Sequence, residues 1–316
     1  MKFPRLINLK SHIGSIILVF VLTCVLNIQL EAQDLEPRLL SPAPTGGNFA
    51  IASYGYSIGN IMLDNSLPVE DLNASINSFV LAYARSFKLF KKLAKFDAIL
   101  PYAFGNYNAI VNNLDTTASR SGFGDPLFRL SIIWIGTNPL SPPDFIKREQ
   151  KKFNLGTSVR VIAPIGQYDP TKFLNLGTNR WTIKLTLAGS YTLAKRVVLE
   201  GHFNSVFFTE NNSFFNGNTL KQKPLLTAQF HATYIFKPGV WVAASIGRSY
   251  LGETVLNGEE QDNLQNTSRY GVVFSYKLKQ HSALKLGFTS GITARYGANF
   301  TSIILAYQYI WFNKPK

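Results

Sequence analysis

Residues 153–163 read Phe-Asn-Leu-Gly-Thr-Ser-Val-Arg-Val-Ile-Ala, and residues 180–191 read Arg-Trp-Thr-Ile-Lys-Leu-Thr-Leu-Ala-Gly-Ser-Tyr. Each stretch alternates. In the second, Trp181, Ile183, Leu185, Leu187 and Tyr191 fall on one side, and Thr182, Lys184, Thr186 and Ser190 on the other. Alternation sustained over ten residues predicts a strand with two unlike faces. A strand in a soluble protein usually runs about 5–6 residues, so these are long. Trp181 and Tyr191 bracket the apolar face. At roughly 3.3 Å per residue and a tilt near 40° they stand about 25 Å apart along the membrane normal, the height of the apolar band of an outer-membrane barrel between its aromatic girdles. The apolar face then meets lipid, and the polar face, with Arg160 and Lys184, lines a wet lumen.

The other segments carry the same pattern. Alternating runs occur at 49–58, 76–89, 96–104, 128–134, 197–207, 226–236, 240–246, 270–276, 284–292 and 303–311. Together they predict an all-β protein: an antiparallel up-and-down transmembrane β-barrel of about twelve strands, with long outer loops and short periplasmic turns. Polar stretches at 106–123, 211–223 and 252–268 read as loops. Residues 136–150 form a Pro-rich connection that is long for the periplasmic side. Arg85 and Arg248 fall on the lipid-facing parity, and a bulge at Gly247 would reset Arg248. Pro101 inside a strand points to a bulge or an early strand end.

The chain has 316 residues, a net charge of +14 and one cysteine, Cys24. Residues 1–32 have the layout of a signal peptide: basic Lys2, Arg5 and Lys10, an apolar run at 13–25, and a small-residue end at Ala32. An uncleaved anchor is the alternative. Thr23 before Cys24 argues against a lipoprotein. Residues 33–47, with three prolines and Gly46-Gly47, form an irregular arm, and residues 48–316 form the barrel. The lysines and arginines are spread and no recognition motif accompanies them, so nucleic acid is excluded as a partner. Anionic outer-membrane lipid and lipopolysaccharide are the expected surroundings, the barrel assembly machinery the expected folding partner, and a small solute the expected cargo.

The inward parity supplies the candidate lumen residues Arg129, Arg160, Lys184, Glu200, His202, Gln229 and His231, with Lys277 and Lys285. More are basic than acidic. A wet cavity lined by one sign of charge concentrates the opposite one, which points to small anions or carboxylated aromatics. The alternative is a packed polar interior in which Glu200 pairs with Lys184 and nothing passes. A barrel that only anchors loops is a third reading. A lipid hydrolase is a remote one, because His202 and Asn204 share a face while Ser205 points away. No cofactor or metal motif is present, and no catalytic residue is assigned.

Several phrases resemble one family of bacterial outer-membrane proteins, the phenol-degradation MetA-pathway family. They are Pro44-Thr45-Gly46-Gly47-Asn48-Phe49, Leu100-Pro101-Tyr102, Ser121-Gly122-Phe123-Gly124-Asp125-Pro126, Pro164-Ile165-Gly166-Gln167-Tyr168-Asp169-Pro170 and Leu176-Gly177-Thr178-Asn179-Arg180-Trp181. The resemblance spans nearly the whole chain after residue 32. It implies a barrel and a transport role for small compounds, aromatic ones among the candidates; the family's name records genetic context and does not establish a substrate. The strand order puts Gly124, Asp125, Tyr168, Asp169, Asn179 and Arg180 at the outer mouth, where Asp125, Asp169 and Arg180 could cluster around an incoming solute. Plain turn chemistry explains the same residues.

Overall fold

The computed structural model describes residues 35–62, 69–111, 113–172, 174–293 and 295–312. The expected signal peptide and the last four residues lie outside them.

The strands, in order, are β1 (Gly47–Met62), β2 (Val69–Leu89), β3 (Lys92–Val111), β4 (Leu114–Phe123), β5 (Leu127–Ile135), β6 (Phe153–Ile162), β7 (Thr182–Leu193), β8 (Val197–Phe208), β9 (Asn211–Phe214), β10 (Asn218–Gln222), β11 (Leu225–Lys237), β12 (Val240–Leu251), β13 (Thr254–Leu256), β14 (Glu259–Glu260), β15 (Gln265–Lys279), β16 (Ser282–Thr293) and β17 (Gly297–Phe312). Twelve of them, β1–β3, β5–β8, β11, β12 and β15–β17, make one antiparallel ring. It closes where β1 meets β17 in unbroken register from Gly47↔Phe312 to Met62↔Gly297. Closure leaves the ring no free edge, so its backbone groups pair within it, as a bilayer demands.

The predicted faces are the observed ones. Ile183, Leu185 and Leu187 point outward and are 39%, 43% and 52% exposed, under no second layer of protein. Thr182, Thr186, Ala188 and Ser190 of the same strand are buried inside. The alternation at 181–191 therefore sorts side chains between hydrocarbon and lumen. Aromatic rings end the outward faces. Tyr309 stacks on Trp311, their centroids 6.0 Å apart, with Tyr83 beside Trp311 at 6.2 Å. At the opposite rim Tyr102 meets Phe123 edge-on at 5.2 Å. The protein is an outer-membrane barrel.

Some expectations need correction. The stretch 106–123 is a protruding hairpin, because β3 runs on to Val111 and pairs with β4. Likewise β1 and β2 outrun the predicted 49–58 and 76–89, since polar residues suit a strand beyond the bilayer. The outer segments at 211–223 and 252–268 fold partly into a small sheet of order β14-β13-β10-β9. No bulge occurs at Gly247: the β11–β12 register is continuous there. Arg248 faces outward three residues from the outer end of β12 and donates two hydrogen bonds to Asn266 Oδ1, at 3.1 and 2.7 Å. Arg85 also faces outward, four residues from the periplasmic end of β2. Both can reach headgroups, where a charge costs little. Pro101 does mark an irregularity. It sits where β3 changes partner from β5 to β4, opposite a bulge at Gly124-Asp125-Pro126, so the ladder bond it cannot donate is not required.

The long periplasmic connection holds a short helix, Pro142–Lys147, capped by Ser141. Its Leu140 carbonyl accepts from both the amide and the hydroxyl of Thr45, tying the connection to the arm.

Candidate functional site

The lumen is crossed by residues 35–46. Glu36 lies between Arg129 of β5 and Arg160 of β6 and forms an ion pair with each. Arg129 is also held by Asp97 of β3 at 2.7 Å. The Arg38 amide donates to Glu200 of β8 at 2.7 Å, and its guanidinium lies 5.4 Å from the Trp241 ring on β12. Leu39 and Leu40 pack with Leu93, Ile133 and Ala188 in an apolar knot inside the barrel. A Cβ on Gly156 would stand 2.9 Å from Leu40, and one on Gly271 of β15 would stand 3.1 Å from Leu35. In the ring β5 and β15 are six strands apart, on opposite sides. The arm therefore spans the whole bore, and the sequence reading missed this. The signal was present in the apolar and charged residues Leu35, Glu36, Arg38, Leu39 and Leu40, which a free periplasmic tail has no use for.

Burial raises the Glu36 carboxyl's affinity for a proton. The Arg129 and Arg160 guanidiniums outweigh that and hold its pKa well below the usual carboxylate range. Burial lowers the pKa of Arg38, with Glu200 opposing.

The predicted lumen residues do face inward. Arg160, Glu200, His202, Gln229 and His231 are buried, Arg129 nearly so, and Lys184 partly. They do not form the expected pairing of Glu200 with Lys184. In the register Glu200 opposes Ser190 while Lys184 opposes Val206, so the two stand several rungs apart. His231 and His202 meet at 3.3 Å, with Ser245 2.8 Å from the other His231 nitrogen. Asn204 links Thr186 to Thr227 through bonds of 2.7 and 2.6 Å. Lys285 is half-buried, and Lys277 is exposed at the periplasmic rim.

The opposite wall differs. Inward residues of β1, β2 and β17, such as Ser53, Val80, Ala82 and Ala306, are small or aliphatic and are not buried. Ile304, facing in opposite Gly55, is 39% exposed. The bore thus has one packed polar wall braced by the arm and one smoother wall bordering open space.

At the outer mouth Asp125 is buried and accepts from the Gly166 amide at 2.8 Å and from the Thr178 amide and hydroxyl at 2.8 and 2.7 Å. Gly166 and Gly177 are pressed against this carboxylate and its backbone. A Cβ on either would fall within 3 Å of main-chain atoms. Gly124 belongs to the bulge and donates to the Pro101 carbonyl. Asp169 turns away to Thr171 and to Lys172 at 2.7 Å, and these hydrogen bonds hold its pKa low. Asn179 and Tyr168 both bond Asn211. Arg180 stacks on Phe208 and donates to Gln222. The mouth motifs are therefore brought together as one loop network, but Asp125, Asp169 and Arg180 each take separate partners. Among the described residues no group of three or more His, Cys, Asp or Glu is placed to hold a metal ion.

Comparison with known proteins agrees with this architecture. Residues 42–307 match the protein family described as "Putative MetA-pathway of phenol degradation". The COG4313 outer membrane channel from Pseudomonas putida F1 superposes with a TM-score of 0.72 at 21% identity, over 88% of this chain and 100% of that one. The β domain of the Bordetella autotransporter BrkA superposes with a TM-score of 0.52 at 12% identity, over 84% and 100%. No curated protein matches the chain.

Proposed function

Because this chain belongs to that phenol-degradation family, we propose that it is an outer-membrane channel that admits small anionic or aromatic molecules to the periplasm. The observation that carries the reading is the two-sided bore. A purely structural barrel gains stability by packing its interior throughout. Here the wall formed by β17, β1 and β2 is covered at Ala84 and Ser86 but left unburied at Ser53, Val80, Ala82 and Ala306, with Ile304 bordering open space, while the other wall is packed. Small and aliphatic residues along a wet passage favour a flat, partly apolar solute. The inward bases Arg38, Lys95, Arg129, Arg160, Lys184 and Lys285 outnumber the acids Glu36, Asp97 and Glu200 that pair with or face them, and this excess biases the passage toward anions. The solved channel of similar fold supports the transport role.

The arm narrows this passage. It is tied by charge at Glu36, by a hydrogen bond at Arg38 and by apolar packing at Leu39 and Leu40. Its contacts lie chiefly on the polar wall, so a solute passes along the other side or displaces it. The reading is tested by reconstituting the protein in liposomes and following uptake of labelled benzoate, phenol and glucose. Benzoate and phenol should enter faster than glucose and faster than into protein-free vesicles. Uptake equal to that of empty vesicles for all three would remove the channel reading and leave the loop-anchoring barrel.

A further inference from the structure

The polar wall is internally bonded along most of its length, as the chains Thr186–Asn204–Thr227 and His202–His231–Ser245 show. Single atoms deeper in the wall, such as His202 Nε2 and Thr233 Oγ1, lack a partner, and toward its outer end several such atoms gather. The hydroxyls of Ser249 and Thr267, the Gln265 side-chain oxygen and Arg180 Nη1 are all buried without a hydrogen-bond partner. Ser249, Thr267 and Gln265 are neighbours on β12 and β15, and Arg180 is linked to that end of β12 through Gln222. Ser249 and Thr267 are paired across β12 and β15, and Gln265 sits two residues further out, opposite Leu251. Gly252, next in the chain, accepts from Gln222 Nε2 at 2.9 Å, while Gln222 Oε1 accepts from Arg180 Nη2 at 2.6 Å. Native interiors rarely leave buried polar atoms unpaired, and a cluster of them signals a missing partner.

Arg180 identifies the charge of that partner. Its guanidinium lies 4.4 Å from the centroid of the Phe208 ring, which fixes its plane and covers one face. No carboxylate forms an ion pair with it among the described residues. Burial without such a partner draws its pKa down to about 10. A desolvated guanidinium with an unpartnered nitrogen is suited to a carboxylate. The Gln265 oxygen is an acceptor and asks for a donor, and the two hydroxyls can serve either role.

We propose that Arg180, Phe208, Gln222, Ser249, Gln265 and Thr267 form an outer subsite for a small carboxylate that also carries a hydroxyl donor, of the hydroxybenzoate type. Its physiological role as a capture point rests on the channel reading, but the binding itself does not. The carboxylate meets Arg180, and the hydroxyl donates to Gln265.

Calorimetry on the purified full-length mature protein in detergent tests it, with 4-hydroxybenzoate, benzoate and phenol as probes. Wild type should bind 4-hydroxybenzoate best. Phenol, which lacks the charge, should bind about tenfold or more weakly, given what a hydrogen bond to a charged group contributes. Arg180→Gln should lose about the same factor for both carboxylates, and Gln265→Leu should abolish the preference for 4-hydroxybenzoate over benzoate. Gel mobility of unheated samples reports whether each variant keeps its barrel. Should Arg180→Gln fail to fold, Thr267→Val and Gln265→Leu carry the test. Absence of binding by wild type, or equal binding of all three probes, overturns the subsite even if liposome uptake is normal. Selective binding with no uptake retains the subsite and removes the channel.

Discussion

The backbone amide of Arg38 donates to the Glu200 carboxylate across 2.7 Å, joining a residue before the first strand to the periplasmic end of β8. Glu36, two residues earlier, is held by Arg129 and Arg160. The arm is therefore part of the folded interior, and its docking is an equilibrium that conditions can shift.

Acid should shift it in a defined window. Undocked, the Glu36 carboxyl titrates near its ordinary value of 4.5, and docked it titrates lower because of the two guanidiniums. A group with a depressed folded pKa contributes fully above its free value and loses that contribution as pH falls through the docked one. Bilayer conductance should stay level from about pH 8 down to about pH 5 and rise only in stronger acid, while Glu36→Gln removes that acid dependence. A rise between pH 5 and 7 in wild type would assign the effect to another group, such as the His202–His231 pair.

The outward face of β7 gives a stability prediction. Leu185 stands mid-strand between Trp181 and Tyr191, facing lipid. Leu185→Arg should destabilise the barrel in vesicles by about 2–4 kcal/mol, as a cation near the bilayer midplane does. Urea unfolding from phosphatidylcholine vesicles measures it. A change below about 0.5 kcal/mol would mean that this face does not meet hydrocarbon.

Asp125 pins the 163–181 loop through three hydrogen bonds from Gly166 and Thr178. Asp125→Ala should free the loop and expose the Lys172 bond to trypsin in intact proteoliposomes, with nicking at least about tenfold faster than in wild type. An unchanged digestion rate would show that the pin is redundant.

The lipid-facing pattern was legible because it depends on a period of two and on solvent. Every residue from Trp181 to Tyr191 took its predicted side. The strand ends were less legible, because β2, β3 and β4 continue past the membrane with polar residues on both faces, which resemble loop composition. Lumen membership followed from parity, so Arg129, Arg160, Glu200 and His231 were found. Their partners were not, because Glu36 lies more than 90 residues from Arg129 and periodicity carries no information about such a contact. At the mouth the residue types of Asp125 and Arg180 were informative. Their separation was not, because turn chemistry and anion recognition draw on the same side chains.

The arm decides how the barrel conducts, so single-channel recording of wild type beside a variant lacking residues 35–43 tests the account most directly. Wild type should give small steps, and the shortened chain steps several-fold larger that no longer grow in acid below about pH 5. Identical steps from both proteins, or silence from the shortened chain despite a folded barrel, would contradict it.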